Sequence, residues 1–173
     1  MRFRSRAFIP CTSIKNWNAS HESLKGTVPY PLFLQEEKPR NTTLEEFREA
    51  GNGVLVATSS FWQGVDVQGE ALSLVVIDKI PFAVPGDPII EARIEEIRQR
   101  GEDPFSTYQL PMAAMILKQG MGRLIRSRRD RGVVACLDNR LRRKGYGKRI
   151  LQSLPPFPLT SDLQRVKAFF EEK

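Results

Sequence analysis

The chain has 173 residues, of which 40% are hydrophobic and 27% are charged, and a formal net charge of +7. This length suits one domain with a buried core, and the composition is that of an ordinary globular protein rather than a disordered or fibrous one. No apolar run approaches the ~18 residues of a membrane span, and the two cysteines exclude the usual disulfide and zinc frameworks. We therefore expect a cytoplasmic protein that makes no contact with a membrane.

Short apolar runs alternate along the chain with helical patterns, which predicts an α/β domain with a mainly parallel sheet flanked by helices. The runs at 54–57 and 74–77 are apolar throughout, as in parallel strands that are covered on both faces. The predicted strands are 7–11, 31–34, 54–58, 72–77 and 133–137.

Helices are predicted from capping residues and breakers. A capping box at 43–46 predicts a helix that ends at about residue 50, and Asp87 followed by Pro88 predicts a helix over 88–100. Three further helices are predicted: one from about Tyr108 to the arginines near residue 123, one over 146–154 and one over 160–171. The chain 1–173 is thus interpreted as one domain, in which 155–173 is a helical tail that packs on the domain or contacts a partner.

Loops that follow strands are candidate sites, because open parallel sheets bind ligands at the carboxyl ends of their strands. Thr12 and Ser13 follow the first predicted strand. The loop after the third carries hydroxyls and then a tight turn with a carboxylate: Thr58, Ser59, Ser60, Gly64 and Asp66. Such hydroxyls and backbone N–H groups suit phosphate oxygens. The alternative is a serine-rich connection whose aromatic residues pack in the core.

The loop at 78–88 places three prolines around Phe82. Prolines stiffen a loop and restrict the residues before them. The loop is therefore either a rigid wedge that faces a ligand or a stiff crossover into the next helix. We expect a crossover at Pro81 and Pro85, and the role of Phe82 stays open.

Positive charge is concentrated at 118–149, a segment that contains twelve Lys/Arg and two Asp. The net charge of the rest of the chain is therefore −3. Gln119, Gly122, Arg123 and Arg126 are spaced i, i+3, i+4 and i+7, which is one face of a helix. Each guanidinium presents a planar fork of donors that matches phosphate oxygens, and the glycine permits close approach. This spacing favours a polyphosphate or a nucleic-acid backbone over a solvated basic face.

The chain contains no G-x-x-x-x-G-K-[S/T] string and no acidic D-E-x-[H/D] box. Without the first there is no backbone cradle for phosphates and no hydroxyl to hold Mg²⁺. The arginines therefore suit the γ-phosphate of a nucleotide that another domain holds.

The segments 60–88 and 108–140 together resemble the second RecA-like motor domain of the DinG/XPD group of superfamily 2 DNA helicases, and within it the bacterial DinG/YoaA branch. The resemblance is strongest over 44–154, and Pro10 departs from the family by interrupting the first strand. It implies a RecA-like, P-loop-NTPase-type α/β fold that lacks a Walker A loop. The implied function is the C-terminal motor half of an ATP-dependent DNA helicase, paired with a first motor domain in the same or another chain.

The resemblance also implies roles for single residues. Arg123 and Arg126 match arginines that reach ATP on the first motor domain and stabilise the transferring phosphoryl group, and Gln119 would orient the same catalytic network. The residues expected at the nucleotide are Gly64, Asp66 and Gly122. The residues expected at the backbone of single-stranded DNA are Thr12, Ser13, Thr58, Ser59 and Ser60.

ATP with Mg²⁺ is the implied cofactor, held mainly by the first motor domain, and we expect neither a metal site nor an iron–sulfur cluster in this chain. The chain alone is not expected to hydrolyse ATP, although it is part of an enzyme as half of a helicase. The alternative function is a stand-alone module that binds nucleic acid or docks on a helicase without ATPase activity. The other basic residues either extend the DNA track or are solvated: Arg128, Arg129, Arg131 and 142–144.

Overall fold

The computed structural model of the chain describes residues 6–35, 37–58, 72–83, 86–124 and 130–172, and leaves the side chains of residues 14, 15 and 123 aside. Within these ranges the centre of the fold is a parallel sheet with the strand order β2-β3-β1-β4-β5. The strands are β1 Arg6–Cys11, β2 Leu32–Leu34, β3 Gly53–Thr58, β4 Leu74–Ile77 and β5 Val133–Cys136. The predicted α/β fold with a parallel sheet is confirmed, and each predicted strand is present within two residues at either end.

Helices cover both faces of the sheet. They are α1 Ile14–Leu24, α2 Arg40–Glu49, α3 Pro88–Gln99, α4 Leu110–Leu124, α5 Arg140–Arg143, α6 Gly145–Ser153 and α7 Leu163–Glu171. The larger core cluster joins the sheet to α2, α4 and α6 through buried side chains such as Phe47, Leu117 and Ile150. The smaller cluster joins the opposite face to α1 through Trp17. Burial of apolar surface on both faces accounts for the continuously apolar strands.

The predicted start of α2 is wrong. The helix begins at Arg40, directly after Pro39, rather than at a capping box on Thr43. Thr43 is buried inside the helix, where its hydroxyl donates to the carbonyl of Pro39 at 3.3 Å. Glu46 pairs instead with Lys38 at 2.6 Å. The proline, whose fixed φ suits the residues that lead into a helix, sets the start here.

An aspartate followed by a proline begins two helical segments, of which the sequence analysis identified one. Asp87 caps α3 as predicted, and accepts from two N–H groups of the first turn at 2.9 and 3.3 Å. Asp103 does the same for the π-helical turn Phe105–Gln109 that leads into α4, at 3.2 and 3.1 Å. The helical segment therefore begins at Phe105 rather than at Tyr108.

The strands β1 and β4 part at their carboxyl ends. β1 pairs with β3 along its whole length but with β4 only at Ala7 and Phe8. The N–H of Ser73, just before β4, donates to the carbonyl of Arg6 at 2.9 Å. Since alternate residues of a strand direct their backbone groups to the same side, those of the even-numbered residues of β1 point towards β4. Pro10 belongs to this set and has no N–H to donate, so the ladder ends before it.

The two ends of α4 lie at opposite edges of the sheet. Near its beginning, Phe105 packs against Phe82, which follows the carboxyl end of β4, with ring centroids 5.6 Å apart. At its end, Leu124 packs against Gly132, directly before β5, where an added Cβ would lie 2.7 Å from the leucine Cδ1. The six residues of β3 span roughly 20 Å. We call the two ends of the strands the carboxyl edge and the amino edge.

The tail contacts the rest of the chain through Arg131, which lies between α4 and β5. The guanidinium of Arg131 donates to the carbonyls of Glu172 at 3.1 Å and of Phe169 at 3.4 Å. It also lies 4.7 Å from the centre of the Phe169 ring. This arginine therefore holds the C-terminal end of α7, a helix in which no residue is buried.

Candidate functional site

A polar cluster lies between β1 and β4 at the carboxyl edge. Asp78 directly follows β4, and its carboxylate accepts from the N–H of Thr12 at 3.3 Å and from the Thr12 hydroxyl at 3.0 Å. Asn16, in the first turn of α1, donates to the same carboxylate at 2.5 Å. The chain leaves β1 and β4 in opposite directions along the sheet. The gap is therefore the topological switch point, where open α/β sheets bind their ligands.

Thr12 and Ser13, the predicted DNA contacts after β1, differ in what they can offer to a phosphate. The Thr12 hydroxyl donates to Asp78, and it would have to leave this carboxylate to donate elsewhere. Ser13 is exposed and caps α1 by accepting from the N–H of Asn16 at 3.2 Å, so its own hydroxyl hydrogen can point outwards. The first N–H groups of a helix also favour an anion. The geometry thus favours Ser13 over Thr12 as a phosphate donor.

Thr58, the predicted contact after β3, is held by the end of β2. Its N–H and its hydroxyl both donate to Oε1 of Gln35, at 2.8 and 2.9 Å. Gln35 directly follows β2, so the side chain spans two neighbouring strand ends. The remaining predicted residues of this loop lie outside the described ranges: Ser59, Ser60, Gly64 and Asp66.

A second carboxylate, Asp138, joins the exits of β4 and β5. It accepts from the N–H of Ile80 at 2.9 Å and from the guanidinium of Arg140 at 2.6 Å, and its side chain is 5% exposed. Burial alone would raise the pKa of Asp138, but the hydrogen bonds from Arg140 and Ile80 outweigh it and lower the pKa to about 2. The carboxylate is therefore ionised at neutral pH and ties the two loops together.

Phe82, whose role the sequence left open, packs within the domain. Its ring lies 5.6 Å from that of Phe105 and 5.9 Å from that of Tyr146, and the guanidinium of Arg140 lies 5.5 Å from its centre. The half-buried ring is therefore part of the wall between the loop after β4 and the helices α5 and α6. Pro85, in the same loop, lies outside the described residues.

The predicted basic helix face lies at the other edge of the sheet. Because α4 extends to Leu124, it includes Gln119, Gly122 and the backbone of Arg123. Gln119 and Gly122 are exposed, and a Cβ added to Gly122 would meet no atom of the described residues within 4 Å. Among these residues, none occupies the space above this glycine. Arg126 lies outside the described residues, as does the side chain of Arg123.

The predicted nucleotide and DNA residues thus fall into two groups, which the sequence analysis did not separate. Thr12, Ser13 and Thr58 lie at the carboxyl edge, whereas α4 ends at the amino edge, roughly 20 Å away. The chain between 59 and 71 joins the end of β3 at one edge to the start of β4 at the other. The predicted turn with Gly64 and Asp66 belongs to this connection.

Four polar residues of the carboxyl edge escaped the sequence analysis: Asn16, Gln35, Asp78 and Asp138. Three of them follow a strand by one or two residues, so the rule that selected Thr12 would have found them. Asn16 could have been found through Ser13, because a serine after a strand is a typical N-cap and Asn16, three residues later, then lies in the first turn of the helix.

Within the described residues, no group of three or more His, Cys, Asp or Glu side chains could hold a metal ion. No helix in these ranges is long and apolar enough to cross a membrane. Both cysteines are free thiols, Cys11 buried on β1 and Cys136 half-buried on β5, and burial raises the pKa of each. Cys11 is completely buried and packs as a small apolar side chain.

Comparisons with known proteins agree on one relationship. The family model described as "Helicase C-terminal domain" matches residues 2–157. ATP-dependent DNA helicase YoaA of Escherichia coli (strain K12) is 51% identical over 164 residues, which cover 95% of this chain and 26% of that protein. ATP-dependent helicase DinG of Mycobacterium tuberculosis (strain ATCC 25618 / H37Rv) is 41% identical over 157 residues, 91% of this chain and 24% of that protein. The chain therefore spans about a quarter of the length of these relatives.

Solved structures support the fold. The structure titled "XPD_Helicase" superposes with a TM-score of 0.64 at 19% identity, over 90% of this chain and 29% of that chain. The structure titled "XPD_APO" gives a TM-score of 0.64 at 20% identity, over 86% of this chain and 31% of that chain. These likenesses confirm the predicted RecA-like α/β fold.

Proposed function

The chain belongs to the helicase C-terminal domain family, and from this premise we propose that it is the C-terminal motor half of an ATP-dependent DNA helicase. In this role it supplies arginines to ATP bound by a first motor domain and holds single-stranded DNA. One observation carries the proposal: a single parallel sheet has the exposed positions Gln119 and Gly122 of α4 at one edge and the capped N-terminus of α1 at the other. The 51% identity to a protein named as an ATP-dependent DNA helicase supports it.

The amino edge would face the nucleotide. Arg123 and Arg126 would place guanidinium groups against the phosphoryl group, where negative charge develops during transfer. Gln119 is exposed one turn before Arg123 and would orient it. The open space above Gly122 admits a phosphate, and Gly64 and Asp66 would complete the nucleotide contacts.

ATP with Mg²⁺ would be held mainly by the first motor domain, in the same or another chain, since this sequence has no phosphate cradle. When bound there, ATP supplies the phosphoryl group whose transfer drives the motor. An iron–sulfur cluster of the usual kind needs four cysteine thiolates, whereas the two cysteines here lie on different strands. We therefore assign no cluster to this chain. We also propose that it acts on DNA in the cytoplasm.

The carboxyl edge would hold the DNA backbone. Ser13 and the first N–H groups of α1 would donate to a phosphate, as would Thr12 once its hydroxyl leaves Asp78. Ser59 and Ser60 would continue this row of donors after the end of β3, as would Thr58 once its hydroxyl leaves Gln35. The connection 59–71 would then link DNA contacts at one edge to nucleotide contacts at the other.

A chimera tests the proposal. Residues 2–157 replace the corresponding segment of Escherichia coli YoaA, and ATP hydrolysis is measured with and without single-stranded DNA. We expect DNA-stimulated hydrolysis by the chimera and none above background by the 173-residue chain alone. Hydrolysis by the pure chain would contradict a nucleotide site in another domain. A folded chimera that binds DNA without hydrolysing ATP would instead favour the stand-alone binding module.

A further inference from the structure

The corner formed by α5 and α6, residues 140–149, carries six Lys/Arg and no acidic residue. We call this segment the basic corner. Arg140 is paired with the carboxylate of Asp138, and the positive charge of Arg149 contributes to lowering the pKa of Asp103. The other cations are exposed, and no ion pair within the described part of the chain joins them to an acid: Arg142, Arg143, Lys144 and Lys148. On α3, by contrast, two arginines pair with glutamates of the same helix, and Arg100, directly after its end, pairs with Glu96.

Two charges of the basic corner, those of Lys144 and Lys148, oppose the dipole of α6, whereas Arg142 and Arg143 lie in the last turn of α5, where cations are favourable. The first turn of α6 contains no acidic residue, and it has Lys144 at its N-cap and Lys148 four residues later. Cations at the N-terminus of a helix are unfavourable. In α3 the order is the favourable one, with Glu91 in the first turn and Arg98 in the last. Helix stability therefore does not account for Lys144 and Lys148, whereas a bound anion would offset their unfavourable position.

The backbone of the basic corner is held rigidly. Gly147 lies so close to α5 that an added Cβ would be 2.1 Å from the carbonyl oxygen of Leu141. Asp138 accepts from the N–H of Arg140 at 3.0 Å, and Tyr146 packs edge-on against Phe82. The cations thus extend from a fixed frame, which lowers the entropy cost of aligning them with a row of anionic groups.

The basic corner lies at the carboxyl edge, because α5 begins shortly after the end of β5. β5 is two strands away from β1, which corresponds to roughly 10 Å between their ends. The corner therefore lies at the same edge of the sheet as Ser13. The tyrosine of the corner is half-buried, so this surface offers charges rather than rings on which bases could stack.

We propose that the basic corner binds the phosphate groups of a nucleic-acid strand through Arg142, Arg143, Lys144 and Lys148, and thereby extends the DNA track from β1 across the ends of β4 and β5. This proposal rests on the proposed function for the identity of the polyanion. Contacts of this kind are independent of base sequence, and they depend steeply on salt because each neutralised phosphate releases counterions. The basic residues 142–144, left open by the sequence, are thereby assigned to the track.

The experiment compares two variants of the 173-residue chain with equal loss of charge. The corner variant is Arg142→Gln, Arg143→Gln, Lys144→Gln and Lys148→Gln. The control variant removes exposed cations elsewhere: Lys25→Gln, Arg98→Gln, Arg165→Gln and Lys167→Gln. The Kd is measured over a series of salt concentrations for a thymidine 20-mer, a blunt duplex of equal length and polyglutamate.

We expect the corner variant to lower the slope of log Kd against log salt by about 3 for the single strand, since each phosphate contact contributes ~0.7. Its Kd at low salt should rise roughly tenfold or more, well beyond that of the control variant. A larger loss for the duplex would assign the corner to double-stranded DNA. Equal behaviour of the two variants, or an equal loss of polyglutamate binding, would overturn the proposal.

Melting temperatures verify that both variants fold. Should the corner variant melt early, the double variant Arg143→Gln and Lys144→Gln repeats the test with an expected slope change of about 1.5. Failure here is distinguishable from failure of the proposed function. The binding assay needs no ATP hydrolysis. The chimera assay compares the chimera with the chain alone, and the basic corner is unchanged in both.

Discussion

The two edges of the sheet differ in how their polar groups are arranged. At the carboxyl edge, side chains from neighbouring strand ends bind one another, as in the pairs Thr58–Gln35 and Asp138–Arg140. At the amino edge, apolar packing of Leu124 on Gly132 fixes the end of α4, while Gly122 leaves open space above the helix. The proposed DNA contacts and the proposed nucleotide contacts are thus separated by the length of a strand within one small domain. Substitutions at one edge should therefore spare the function of the other.

The largest expected effect is that of Arg126→Ala at the amino edge. In the chimera it should lower the rate of DNA-stimulated ATP hydrolysis by about 10³-fold or more, because a guanidinium that stabilises the transferring phosphoryl group is lost. The Kd for single-stranded DNA should stay within about twofold, since phosphate contacts at the other edge supply the affinity. Steady-state hydrolysis and fluorescence anisotropy measure the two quantities.

Two further variants sharpen this contrast between the edges. Arg98→Ala removes an exposed arginine of α3, 3.8 Å from Glu95, and should change neither quantity. Ser13→Ala at the carboxyl edge should raise the Kd for DNA and leave the rate at saturating DNA nearly unchanged. Equal losses of rate and DNA affinity in Arg126→Ala would reassign that arginine to the DNA.

Much of this arrangement could be read from local sequence. The strands were predictable because each is a short apolar run, and α3 because Asp87 and Pro88 form a cap and a first turn within neighbouring residues. The same local signal at Asp103 shows that the start of the helical segment before α4 was equally accessible. The prediction at Thr43 was wrong because the pattern of a capping box can occur by chance inside a helix. There the threonine side chain is buried and does not cap the helix.

The candidate site was less predictable because it depends on contacts between distant parts of the chain. Thr12 and Asp78 are 66 residues apart, and the cluster forms only because β1 and β4 are neighbours in the sheet. Because β4 and β5 are parallel, α4, which precedes β5, runs back to the amino edge, away from Ser13. The spacing of Gln119 and Gly122 predicted their helical face but contained no information about the edge at which it lies.

A second prediction concerns acid stability at the carboxyl edge. Asp138 has a pKa of about 2 in the folded chain, against roughly 3.9 when unfolded. Its stabilisation is therefore complete above about pH 5 and is lost as the pH falls towards 2. The free energy of unfolding of the wild-type chain, relative to Asp138→Asn, should fall by about 2 kcal/mol over this range. Urea denaturation at a series of pH values measures it.

Arg140→Gln serves as the companion variant for this measurement. It removes the guanidinium that donates to Asp138, so the pKa of the carboxylate rises towards its unfolded value and most of the pH dependence should disappear. A difference between wild type and Asp138→Asn that stays constant from pH 6 to 2 would show that the ionised carboxylate does not stabilise the fold. The exits of β4 and β5 would then be joined by packing alone.

The smallest expected effect returns to the amino edge, where Gly122→Ala should change stability and activity in opposite directions. Alanine is favoured over glycine inside a helix by about 1 kcal/mol, and the added Cβ meets no atom of the described part of the chain within 4 Å, so the melting temperature should rise. Hydrolysis by the chimera should nevertheless slow, because the methyl group occupies the space through which a phosphate approaches α4. Thr42→Ala, at an exposed position of α2, is a control that also gains helix propensity but leaves hydrolysis unchanged. If Gly122→Ala behaved like this control, the glycine would have no part in phosphate approach, and nucleotide contact at the amino edge would depend on the arginines alone.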